Sequence, residues 1–167
     1  MLSQGISGRS VQPPSDDIQL NLMLAEYAQL HGGKLFVIGA GLFAVFAIGP
    51  NPVQQLAVCG TITLPFQELN REHVITIDLV DMDGKPVMVT TPMGEQPFKI
   101  EGRLNAALPP LLSRGASLPM PFAVLFSLPV QPGAFQFRAF IDGNDRSMLK
   151  LPFTVLAAPP GVVPGAQ

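Results

Sequence analysis

Glycine and proline recur so often along this chain that only short regular elements are expected between them. There are sixteen Gly and eighteen Pro in 167 residues, about one in five against a norm of about 12%. Proline removes a backbone donor and glycine frees the backbone for turns, so the spacing demands many short elements and excludes a helix bundle. Apolar residues are 47% of the chain, too many for a disordered segment. A single domain of this size buries roughly 69% of its extended surface, which supports a core without disulfide or metal.

The segments between the breaks alternate with the period of strands. Gln19–Leu30 places Leu20, Leu22 and Leu24 on one face, and strand is preferred there over helix. Lys34–Gly39 and Gly41–Ile48 follow, then Gln55–Leu64, with Leu56, Val58, Ile62 and Leu64 opposite Ala57, Cys59, Thr61 and Thr63. His73–Asp81 turns Ile75, Ile77 and Leu79 inward. Asp83-Gly84 reads as a type I′ hairpin turn. Phe98–Leu104 and Met120–Leu128 come next, the latter as a buried strand. Ala134–Asp142 and Arg146–Leu156 form a last hairpin around Gly143-Asn144, with Phe135, Phe137, Ala139 and Ile141 facing Leu149, Leu151, Phe153 and Val155. Eight or nine short strands without a βαβ unit predict an all-β fold, an antiparallel β-sandwich of Ig-like or C2-like type. It covers residues 18–156, between a loose lead-in (1–17) and a Pro/Gly tail (157–167). Leu22, Val37, Val58, Ile77, Phe137 and Phe153 are its expected core.

Charge excludes several functions. Ten basic residues against twelve acidic ones give a net charge of −2, and the basic residues are scattered. No stripe exists to neutralise a phosphate backbone, so no nucleic-acid partner is expected. Residues 35–67 and 115–137 carry no charge at all. The apolar run Leu35–Gly49 is too short as a helix for a bilayer and is broken by glycines, so two buried strands account for it better than a membrane span. The single cysteine, Cys59, can form no internal disulfide. With no basic and apolar leader at the start, the expected location is cytoplasmic.

The chemistry-bearing residues are few. Asp81-Met82-Asp83-Gly84 is similar to the opening of a calcium loop, but the twelfth position is Pro92 instead of a bidentate glutamate. Asp142 and Asp145 form a second acidic turn. These four aspartates are the only metal candidates, and hairpin chemistry explains them as well. His31 and His73 are the only histidines, too few for a zinc cluster. Both are expected at exposed turns or strand ends. Tyr27 is expected with a buried ring and a bonded hydroxyl, and Cys59 as an inert small residue. Arg138 is expected to find a cross-strand partner. No cofactor is expected.

Three segments carry a family resemblance: LAEYAQLHGGKLFVIGAG (Leu24–Gly41), REHVITIDLVDMDGKPV (Arg71–Val87) and VQPGAFQFRAFIDG (Val130–Gly143). Together they resemble a family of small uncharacterised bacterial proteins, some phage-associated, filed as a domain of unknown function. The resemblance implies a sandwich and brings no reaction or ligand. The expected function is a non-enzymatic binding or assembly module that self-associates or holds a protein partner through its uncharged strands. The alternatives are a hydrolase or transferase with a sparse loop-built site, and a calcium-dependent ligand-binding domain.

Overall fold

The computed structural model describes residues 17–47, 53–129 and 131–157. Among these described residues the fold is all-β apart from one 3-10 turn, Phe66–Glu68. In order the strands are β1 (Gln19–Ala25), β2 (Tyr27–His31), β3 (Lys34–Ile38), β4 (Ala44–Ala47), β5 (Val53–Pro65) and β6 (Glu72–Asp81). Then come β7 (Met88–Thr91), β8 (Gly94–Pro97), β9 (Lys99–Asn105), β10 (Ser117–Pro129), β11 (Gly133–Ile141) and β12 (Asn144–Ala157). The expected lead-in and tail fall, but for Asp17 and Ala157, outside the described residues.

The twelve strands form a three-stranded sheet, β1-β5-β10, a five-stranded sheet, β4-β12-β11-β6-β9, and two ribbons, β2-β3 and β7-β8. The count exceeds the eight or nine expected because glycines and bends divide what the alternation joins. Gln19–Leu30 breaks at Glu26, whose N–H donates to the Gly39 carbonyl. Gly39 has φ +62° and lies so close to the Glu26 side chain that a Cβ would collide with it. The kink releases β2 from the sheet. One pairing is not antiparallel. β4 runs parallel to β12, Val45 beside Val155, a pairing open to strands separated by so long a crossover.

Both large sheets contribute to one buried cluster. Leu24 of β1, Leu56, Val58, Ile62 and Leu64 of β5 meet Ile77 and Leu79 of β6, Phe137 of β11 and Phe153 of β12. Phe137 is fully buried. It stacks on Phe153 with centroids 5.2 Å apart and takes Phe126 of β10 edge-on at 5.5 Å, geometries that favour aromatic pairs. Five of the six expected core residues are buried, while Val37 is half-buried.

The opposite face of the three-stranded sheet is covered differently. Ala25, Ala28, Ala57 and Cys59 form a second, small cluster with Met23, Leu35, Val37 and Ala123 around it. Small side chains on β5 let the β2-β3 ribbon lie close. The ribbon shields one face only, so β3 is not the doubly buried strand expected: Phe36 and Ile38 face out. β10 is likewise half-buried along most of its length. Among the described residues no helix is long and apolar enough to cross a membrane.

The turns also differ from expectation in type. Gly84 has φ +82° while Asp83 does not have positive φ, and the Gly84 N–H donates to the Asp81 carbonyl at 3.1 Å. That is a type I turn followed by a glycine bulge, not type I′. The last hairpin turns on Asp142 (φ 53°) and Gly143 (φ 65°), one residue earlier than Gly143-Asn144.

Candidate functional site

His73 is the one buried polar residue among the described positions, not the exposed strand end expected. It has the inward parity of Ile75, Ile77 and Leu79 on β6. Its Nδ1 lies 2.8 Å from Oδ2 of Asp142, and its Nε2 lies 2.9 Å from the Glu68 carbonyl oxygen. Both partners accept, so the ring satisfies them only by donating from both nitrogens, as an imidazolium. Asp142 also accepts the Val74 N–H through Oδ1 at 2.8 Å and donates its own N–H to the Val74 carbonyl. Arg71 pairs with the Glu68 carboxylate at 2.8 Å.

Burial opposes the charge on His73, but the bonds to Glu68 and Asp142 and the charges of those residues outweigh it and raise its pKa. Burial pushes Asp142 up, yet the Val74 N–H, His73 and Arg71 together hold it below the usual carboxylate value. The result is a clasp joining the 3-10 turn, the start of β6 and the β11-β12 turn. Its histidine has both nitrogens engaged and no solvent exposure, so no substrate reaches it as a base.

The other acidic turn stands at the far end of β6. Phe135 is opposite Asp81 and Ile141 opposite Ile75, which puts Asp81 about 23 Å along the strand from Val74 at a rise of about 3.3 Å per residue. The Asp81/Asp83 and Asp142 turns therefore cannot share an ion. The side chain of Asp145 lies outside the described residues. Asp81 Oδ1 accepts the N–H groups of Asp83 and Lys85, both at 2.9 Å, the behaviour of an aspartate that shapes its own turn.

Beside that turn lies an open cleft of about 260 Å³, lined in part by Asp81, Asp83, Gln136, Arg138 and Lys150. Arg138 makes the expected cross-strand pair, a bidentate grip on Asp78 at 2.9 and 2.6 Å. Its guanidinium also lies 5.7 Å from the Phe140 ring centre. Cys59 is buried, and burial raises its thiol pKa, so it is a poor nucleophile. Tyr27 is 37% exposed rather than buried, although its hydroxyl is bonded as expected, to Gln29 at 3.0 Å. His31 is exposed, with Phe36 edge-on at 6.3 Å.

The uncharged segments carry a different feature. Phe36, Ile38, Phe43 and Phe46 are 49, 62, 79 and 47% exposed, all within eleven residues of sequence. Phe46 stands beside Leu156 across the β4-β12 pair, and Leu156 is also exposed. β4 is an edge strand, and so is β10.

A family model described as "Family of unknown function (DUF6941)" matches residues 20–156. The chain belongs to this family. The DUF6941 match runs from β1 into β12 and so takes in all four sheets. Among curated proteins, nothing matches.

Proposed function

We propose that this DUF6941 domain is a non-enzymatic contact module, an Ig-like or C2-like sandwich that binds another protein chain through its uncharged strands. The observation that carries the reading is the exposure of Phe36, Ile38, Phe43 and Phe46 within eleven residues of sequence. Large apolar side chains gathered on one segment mark surfaces that another chain covers. Three of the polar groups that a loop-built hydrolase or transferase could use are engaged in holding the fold: His73 in its clasp, Arg138 on Asp78, Asp81 on its own turn. A bacterial cytoplasm is the setting we propose, where the lone thiol of Cys59 stays reduced.

A photo-crosslinking residue tests this directly. At Phe43 it is expected to capture a protein chain in cells, and Phe36→Asp is expected to weaken that capture without lowering Tm. Equal capture from Phe43 and from Glu101 on the charged β9 edge would overturn the reading.

A further inference from the structure

We propose that the partner at the β10 edge is a second copy of this chain, paired strand to strand about Leu125; the inference rests on the contact reading above and names its occupant. β10 pairs with β5 through thirteen residues without a register shift, Pro119 opposite Thr63 and Pro121 opposite Thr61. Proline cannot donate to a ladder. The odd-numbered residues are therefore those whose peptide groups point away from β5, toward the free edge. Pro119, Pro121 and Pro129 all share that parity.

These prolines close the edge at both ends and leave Ala123, Leu125 and Ser127 with N–H and C=O groups facing outward. Among the described residues, no backbone group bonds to them there. Pro121 and Pro129 stand four residues on either side of Leu125. An antiparallel two-fold through Leu125 sets Ala123 against Ser127 of the second copy, Leu125 against its own mate, and Pro121 against Pro129. Every outward N–H then meets an outward carbonyl, and Pro121 and Pro129, which have no N–H to place, face each other. A two-fold interface sets like beside like, so a charge near the axis would repel itself. β10 has none. Leu125, 40% exposed, gains an apolar neighbour. A foreign strand would be held by the same bonds, but the symmetry of Pro121 and Pro129 about Leu125 has no bearing on such a partner.

The window is short, so the dimer is expected to be reversible and concentration-dependent. Light scattering over a micromolar to millimolar series should show mass rising from 17.8 kDa toward twice that value. Leu125→Pro extends the existing parity and removes no bond to β5, so it should stay folded and monomeric throughout. Ser127→Pro provides a second variant with the same expectation. A wild-type chain that remains monomeric at millimolar concentration overturns the second copy, whereas the Phe43 crosslink then still judges the contact reading alone. A dimer that survives both proline variants, or is lost only with Phe36→Asp, overturns the β10 edge and leaves the contact reading standing.

Discussion

The two large sheets finish their surfaces in opposite ways. β1, β5 and β10 contain no charged residue, whereas the five-stranded sheet holds Asp78 to Arg138 and Glu72 to Arg103 across neighbouring strands. Its β9 edge alternates Lys99, Glu101 and Arg103 outward, a common way to deter an added strand. The three-stranded sheet relies on the small-residue contact with the β2-β3 ribbon over one face, and on prolines along β10. The contrast teaches that charge here marks the surface meant for water. Its absence marks the face that the chain's own ribbon covers and the β10 edge proposed above to meet another copy.

The largest effect should come where the two sheets meet. Phe137→Ala removes a fully buried ring from the shared cluster and is expected to cost about 3 to 5 kcal/mol in urea unfolding. A loss below about 1 kcal/mol would mean the sheets do not depend on a common core. On the charged sheet, His73→Ala should cost about 2 kcal/mol or more, since it leaves the Glu68 carbonyl and Asp142 short of their donors. Gly60→Ala probes the uncharged sheet. The Asn21 carbonyl oxygen occupies the place of a Cβ, so β1 must shift, at about 1 to 3 kcal/mol.

The clasp also predicts a pH profile peculiar to the charged sheet. A raised His73 pKa contributes stability that is complete below about pH 6.5 and lost as pH rises through the folded-state value. A lowered Asp142 pKa contributes stability present above about pH 4 and lost as pH falls. The contribution is therefore fullest between those limits. Urea midpoints should decline on the alkaline side, and His73→Gln should remove most of that decline. An unchanged alkaline limb would contradict the imidazolium. The smallest effect belongs to the exposed pair: a double-mutant cycle on Glu72 and Arg103 should give below about 1 kcal/mol.

Much of the fold was legible because alternation reports burial within one strand. Ile75, Ile77 and Leu79 lie inward as expected, and so do Phe137 and Phe153. His73 obeys the same parity, and that signal could have placed it inside. Its partner could not be read, because Asp142 lies 69 residues away and only the β6-β11 register brings it there. The parallel β4-β12 pair and the ribbon over β5 escaped for the same reason: both depend on contacts between elements, which no local pattern encodes. The prolines of β10 were visible as protection for strand ends, but their common parity acquired meaning only once β5 was known to lie on one side.

Hydrogen exchange, compared between dilute and concentrated protein, tests most directly whether the charge-free sheet is the one that meets another copy. Concentration is expected to slow exchange at the Ala123, Leu125 and Ser127 amides and to leave the β9 edge unchanged. Slowing on β9 with none on β10 would contradict it.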